Sequence, residues 1–88
     1  IETNNETLME YVKILKEVVS EIDDSIRFHD VRLVIGETHK NLIFDLLVSF
    51  EFKYTDEELI SLVKTKICEK DPIINCVIQI DKDYVENI

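Results

Sequence analysis

Glycine, proline, cysteine and basic residues are scarce in this sequence, and most of these shortages exclude a class of function. One glycine in 88 residues leaves no glycine-rich phosphate-binding loop. Two separate cysteines, Cys68 and Cys76, form neither a disulfide framework nor a Cys-x-x-Cys pair, so we expect a reducing, cytosolic setting. The sequence has no run of about 18 apolar residues that could span a membrane, and no signal peptide. We therefore expect the chain, as given, to be soluble.

Basic residues are outnumbered by acidic ones, 10 against 19, which gives a formal net charge of −9 at pH 7. A nucleic-acid-binding surface needs clustered Lys and Arg to neutralise phosphates, and the sequence has no such cluster. The same charge disfavours contact with anionic lipid. An acidic surface attracts cations, including metal ions, although solubility alone also accounts for it.

Catalytic signatures are missing as well. There is no Ser/His/Asp order, no cysteine close to a histidine and no His-Glu-x-x-His motif. The paired carboxylates at Asp23-Asp24 and Asp56-Glu57-Glu58 fall at predicted helix ends, where capping and the helix dipole explain them. His39 falls in a hairpin tip and is interpreted as solvated. We expect no enzymatic activity.

The apolar content, 45% of the chain, predicts one folded domain over residues 1–88. A domain of this size buries only about 60% of the surface that its unfolded chain exposes, so its core is small. A second subunit would stabilise the fold by covering further apolar area. The first residue is Ile1 rather than Met, and we expect a piece cut from a longer protein.

Helical and strand periodicities alternate along the chain. Capping boxes at Thr3/Glu6 and Thr55/Glu58 each precede apolar residues at helical spacing. The single glycine, Gly36, marks a hairpin between two segments rich in β-branched residues. The predicted elements are a helix over about 6–22, strands over about 26–35 and 42–52, a helix over about 55–69 and a strand over about 73–81.

This order, α-β-β-α-β, predicts an α+β fold of two layers. The hairpin makes the first two strands antiparallel, and a right-handed crossover through the second helix brings the third strand alongside as a parallel neighbour. Both helices then cover one face of a three-stranded mixed sheet, as in ferredoxin-like sandwiches, and the other face stays open. Alternation along the second strand places Ile43 and Leu47 on the open face, where we expect a partner to meet them.

Three side chains at strand positions are candidate metal ligands: His29, Asp45 and Asp81. Imidazole nitrogen and carboxylate oxygen are common ligands of zinc and other divalent ions. Strand parity puts both carboxylates on the open face but groups His29 with Leu33 on the core side. Simpler interpretations stay open: a solvated histidine at a strand end, Asp45 paired with Arg32 or Lys40, and Asp81 as a strand terminus.

The chain resembles the cytoplasmic C-terminal domain of cation diffusion facilitator (cation efflux) transporters over nearly its whole length. The most specific element is the His-Asp-hydrophobe-Arg opening of the first strand. The segments that carry the resemblance are His29-Asp30-Val31-Arg32, Gly36 at the hairpin, Phe44-Asp45-Leu46-Leu47-Val48, Thr55-Asp56-Glu57-Glu58 and Val77-Ile78-Gln79-Ile80-Asp81.

The resemblance implies a metallochaperone-like αββαβ domain that follows a transmembrane domain and lies on the cytosolic side of the membrane. It further implies a V-shaped homodimer that binds zinc or related divalent cations near the dimer interface and thereby regulates transport. A freestanding ferredoxin-like interaction domain, or a small-ligand-sensing domain, is the alternative. The coding sequence upstream of Ile1 discriminates between them.

The ligand set implied by the resemblance is only partly present. His29 and Asp81 match the family pattern, whereas Asp45 stands where many members have histidine. Gln79 replaces the histidine of the family's His-x-Asp ending, and a neutral amide is a poor zinc ligand. We expect either weak binding of zinc, or of a harder ion such as manganese, or a domain that dimerises without metal.

Overall fold

A computed structural model describes residues 5–83 of the chain and contains two helices and three strands in the order α-β-β-α-β. The elements are α1 (Asn5–Ile22), β1 (Arg27–Ile35), β2 (Lys40–Ser49), α2 (Asp56–Lys70) and β3 (Ile74–Asp83). The predicted cap residue Thr3 lies outside the described residues. Neither of the described helices is long and apolar enough to cross a membrane.

The sheet has the strand order β1-β2-β3, with β2 in the centre. β1 pairs with β2 in the antiparallel sense, and β3 pairs with β2 in the parallel sense. A parallel neighbour requires a crossover connection, and α2 supplies it. The predicted α+β class, with a mixed three-stranded sheet, is confirmed.

The core lies between the helices and one face of the sheet. Alternate residues of β2 face it and are almost completely buried, with Phe44 fully so. The residues that share this core are Tyr11, Leu15, Val18 and Val19 of α1, Leu33 of β1, Leu42, Phe44, Leu46 and Val48 of β2, Leu59, Val63 and Ile67 of α2, and Ile74 and Cys76 of β3, together with Ile26 just before β1. The intervening β2 residues Ile43, Asp45 and Leu47 are only half-buried, which leaves the opposite face open.

The start of α2 follows the sequence prediction closely. Thr55 Oγ1 accepts a hydrogen bond from the Glu58 backbone N–H at 3.2 Å, and the Thr55 N–H donates to Glu58 Oε1 at 3.0 Å. This reciprocal capping box satisfies backbone donors that the first helical turn leaves free. The helix ends where the Asp71 N–H donates to the Ile67 carbonyl at 2.9 Å, one residue before Pro72.

The second strand ends earlier than predicted, at Ser49 rather than Phe52. The Phe52 N–H donates to the Ser49 carbonyl at 3.0 Å, and the Glu51 N–H donates to Ser49 Oγ at 3.2 Å. Local bonds of this kind compete with the sheet ladder and close a turn. Phe50 therefore lies 54% exposed instead of joining the core side of the strand.

A buried tyrosine connects three parts of the fold. The hydroxyl of Tyr11 on α1 donates to Asp71 Oδ2 at the end of α2, and Lys40 Nζ at the start of β2 donates to that hydroxyl at 3.1 Å. Burial, followed by the bond to Asp71, raises the pKa of Tyr11. The cation of Lys40 also lies 5.5 Å from the centre of the tyrosine ring. These contacts connect α1 with the end of α2 and with the start of β2.

Candidate metal centre

The three predicted ligands come together on the open face of the sheet, one from each strand. His29 of β1 is the register partner of Asp45 of β2, while Asp81 of β3 pairs with Leu47, two residues further along β2. One ligand atom from each side chain can be chosen so that all three atoms lie within 4.8 Å of one another. The three residues are far apart in the sequence, and the pairing of the three strands brings them together.

His29 reaches the open face because β1 contains a β-bulge. Its register with β2 shifts between His29, opposite Asp45, and Arg32, opposite Ile43, so Asp30 and Val31 together face the single residue Phe44. An extra residue reverses the alternation of side chains along a strand. The parity that grouped His29 with Leu33 on the core side was therefore wrong.

Asp30 supplies the unusual backbone conformation of the bulge. Its φ is 56°, and it is the single non-glycine residue with positive φ among residues 5–83. This left-handed conformation is normally taken by glycine, but aspartate and asparagine tolerate it better than other residues do. Bulges of this kind commonly re-aim a side chain near functional sites.

The imidazole of His29 has a carboxylate near each ring nitrogen. Nδ1 lies 3.1 Å from Asp30 Oδ2 and 3.8 Å from Asp45 Oδ2, whereas Nε2 lies 3.8 Å from Asp81 Oδ2. The side chains of Asp45 and Asp81 are 24% and 38% exposed, so both are partly shielded from solvent. The predicted alternative of a pair with Lys40 does not apply, because Lys40 instead donates to Tyr11.

These carboxylates raise the pKa of His29. The hydrogen bond to Asp30 is the largest cause, partial desolvation opposes it, and the charges of Asp30, Asp45 and Asp81 reinforce it. The negative charge of these carboxylates therefore favours the protonated form of the imidazole. A divalent cation would be attracted by the same field, but it must displace the proton before the imidazole can bind it.

The geometry and chemistry of the donor set fit a divalent cation. Two ligand atoms of a tetrahedral zinc ion lie about 3.3–3.5 Å apart, which follows from zinc–ligand distances of about 2.0–2.2 Å. The ligand atoms of the cluster lie within 4.8 Å of one another, which is wider than this separation, so the partly exposed side chains must rotate inward to close the site on an ion. A single imidazole with two carboxylates is a harder donor set than several imidazoles, and it suits ions such as manganese as well as zinc.

Gln79 contributes to the site in a way that the sequence analysis missed. It is the register partner of Asp45, and its Nε2 donates to Asp81 Oδ1 at 3.4 Å. Asp81 Oδ1 is thus held by the amide while Oδ2 faces His29. The Gln79 amide therefore orients the Asp81 carboxylate toward the cluster.

Comparison with known proteins identifies structures with the same fold but finds no match by sequence. No family model matches the chain, and no curated protein matches it. Among solved structures, the Zn form of CzrB, described as a zinc transporter, superposes with a TM-score of 0.75 at 16% identity, covering 98% of this chain and 96% of that chain.

A second solved structure has the same fold. The metal-bound C-terminal domain of the CzcD transporter from Thermotoga maritima superposes with a TM-score of 0.63 at 15% identity, covering 83% of this chain and 91% of that chain. The resemblance inferred from the sequence motifs is therefore confirmed at the level of the fold, which is the metallochaperone-like αββαβ sandwich.

Proposed function

We propose that this chain is the cytoplasmic regulatory domain of a divalent-cation efflux transporter and that His29, Asp45 and Asp81 bind its regulatory cation. The observation that carries this proposal is the convergence of these three side chains within 4.8 Å on one sheet face. The two structural neighbours support it, since one is the Zn form of a zinc transporter and the other is a metal-bound transporter domain.

The bound cation would link all three strands of the sheet through its ligands. It would also neutralise the repulsion between Asp45 and Asp81, which His29 relieves only while it is protonated. A ligand that binds the folded state alone stabilises it by about 2.7 kcal/mol when its concentration is 100 times its Kd. Regulation follows if the ion binds one arrangement of the domain more tightly than another, because a ligand shifts an equilibrium only by its differential affinity.

The donor set favours a weak site over a tight one. With one imidazole and two carboxylates, water would complete the coordination of the ion, since the two carboxylates remain partly exposed. We expect zinc to bind more weakly than it does at sites with several imidazoles, and manganese to compete with it. Weak affinity suits a sensor that must release its ion when the cytosolic concentration falls.

The same open face is the proposed homodimer interface. Ile43 and Leu47 flank Asp45 along β2 and are half-buried, and Val77 of β3 is 49% exposed. A second copy covering these side chains would add apolar burial that the small core of one subunit lacks. Because His29 and Asp81 lie on this face, the cation would bind at or near the interface and could alter the arrangement of the two subunits.

Calorimetric titration of the metal-free chain with zinc and with manganese tests the metal site. We expect binding heats for the wild type, their loss in His29→Ala, and their retention in His39→Ala. The second variant is a matched control, because His39 lies in the hairpin and contacts Thr38 Oγ1 rather than the cluster. A wild type that gives no binding heat at millimolar ion would contradict the metal proposal.

The transporter assignment has its own test, which does not depend on metal. We expect the reading frame upstream of Ile1 to encode several apolar segments, each about 20 residues long and able to span a membrane. A start codon immediately upstream of Ile1 would contradict the assignment and would favour a freestanding ferredoxin-like domain.

A further inference from the structure

The geometry points to Asp30 as a positioning residue that fixes the ring tautomer of His29 and so makes Nε2 the nitrogen that binds the cation. This inference rests on the proposed function of the cluster. Asp30 is not itself among the three converging ligands. It acts on the site through the hydrogen bond that it accepts from His29.

The first step is the contact between two consecutive residues. Neighbours in a regular strand point to opposite faces of the sheet, so their side chains do not meet. At the bulge this alternation is interrupted, and Asp30 Oδ2 lies 3.1 Å from His29 Nδ1. The left-handed backbone of Asp30 therefore does two things at once: it turns His29 onto the open face and places a carboxylate beside its ring.

The second step is the direction of the hydrogen bond. An ionised carboxylate can only accept, so the ring nitrogen that faces it must carry the hydrogen. Asp30 is exposed and is the nearest carboxylate to Nδ1, at 3.1 Å against 3.8 Å for Asp45. In the neutral ring this leaves the lone pair on Nε2, which is the nitrogen that faces Asp81 Oδ2 at 3.8 Å.

The third step is the consequence for the ion. Histidines that bind metals generally donate their other ring N–H to a carboxylate, a carbonyl or a water, which fixes the ring and makes it more basic. Removing such a partner typically costs about 10–100-fold in metal affinity. Asp30 would be this partner, and its carboxylate would add negative charge near the ion without occupying a coordination position.

Three substitutions separate this role from the structural role of the bulge. Asp30→Gly removes the carboxylate but keeps a residue that readily takes positive φ. Asp30→Asn also tolerates the left-handed conformation and retains a carbonyl that can accept from Nδ1, so we expect partial rescue. Glu37→Gln removes one negative charge from the exposed turn after β1, far from the cluster, and controls for net charge.

The primary measurement is an imidazole ¹H–¹⁵N correlation spectrum of the metal-free chain at a pH where His29 is neutral. We expect the Nδ1–H tautomer in the wild type and in Glu37→Gln, and a shift toward the Nε2–H tautomer in Asp30→Gly. Zinc and manganese titrations should then show an affinity about 10–100-fold lower for Asp30→Gly, an intermediate value for Asp30→Asn, and little change for Glu37→Gln.

The outcomes distinguish this inference from the proposal on which it rests. An unchanged tautomer in Asp30→Gly, or an affinity loss no greater than that of Glu37→Gln, would overturn the role of Asp30 while leaving the metal site intact. A wild type that does not bind either ion would overturn the metal site itself, and the role of Asp30 in metal binding with it.

Discussion

His29 of β1 and Asp45 of β2 are directly opposite each other in the sheet, with Nδ1 and Oδ2 3.8 Å apart on the open face. This pairing exists only because one extra residue is inserted into β1 between His29 and Arg32. Without the bulge, the ring of His29 would point toward the helices and the two aspartates would face each other without a histidine. The bulge is therefore the structural feature on which the whole candidate site depends.

Metal binding should weaken as the pH is lowered. The pKa of His29 is raised, chiefly by the hydrogen bond to Asp30, so its ring stays protonated to a higher pH than an ordinary histidine. A cation must displace that proton, and below the pKa its apparent affinity should fall about tenfold per pH unit. Calorimetry in two buffers of different ionisation enthalpy would measure the protons released. Binding that releases no proton near the pKa would contradict His29 as a ligand.

Much of the fold can be predicted from the sequence because local signals agree with the global arrangement. The Thr55/Glu58 capping box, the alternation from Leu42 to Val48 and the crossover before β3 each specify their element independently. The error in the predicted end of the second strand has a local cause. Alternation continued past Ser49, but the turn formed by the Ser49 carbonyl and hydroxyl ended the ladder, and periodicity does not report such hydrogen bonds.

The site could be predicted only in part. Asp45 and Asp81 follow from strand parity, since their strands run without a break. The orientation of His29 does not, because a bulge depends on the backbone conformation of one residue and its sequence signal is faint. The one sequence feature that could have suggested the bulge is an aspartate at a strand start, because aspartate tolerates the positive φ that a bulge often requires. The hydrogen bond from Gln79 to Asp81 depends on the conformations of both side chains, which strand parity does not specify.

The bulge should tolerate glycine better than alanine at position 30. Asp30 holds a φ of 56°, a region that costs most side chains about 1–2 kcal/mol. Asp30→Ala loses the local polar contacts that help aspartate to adopt this left-handed conformation. We therefore expect the free energy of unfolding to fall by about 1 kcal/mol. Asp30→Gly removes the steric cost but increases the entropy of the unfolded chain, and should change the free energy of unfolding by less than about 0.5 kcal/mol.

Urea denaturation of the metal-free variants would measure this difference. The comparison is informative for the site, because Asp30→Gly is expected to keep the fold while losing affinity for the cation. Equal stability of the alanine and glycine variants would show that residue 30 does not hold positive φ in solution.

The contact of Tyr11 with Asp71 and Lys40 should contribute measurably to stability. Tyr11→Phe keeps the buried ring but removes the hydroxyl that accepts from Lys40 and donates to Asp71. Hydrogen bonds to charged groups contribute about 1.5–3 kcal/mol, and partial exposure of both partners favours the lower end of that range. Thermal unfolding should show a lower midpoint for Tyr11→Phe. Tyr54→Phe is the matched control, since Tyr54 contacts Phe52 through its ring, and a loss of equal size there would contradict the specific role of Tyr11.

Self-association should depend on the open face and not on exposed apolar residues in general. Val77 is 49% exposed on this face, so Val77→Asp should leave the folded subunit intact while placing a charge in the proposed interface. Sedimentation velocity should show the wild type as a dimer at micromolar concentration and Val77→Asp as a monomer. Met9→Asp is the control, because Met9 is 58% exposed on α1 and lies away from the open sheet face. Dissociation by both variants, or a wild type that stays monomeric at high concentration, would contradict the proposed interface.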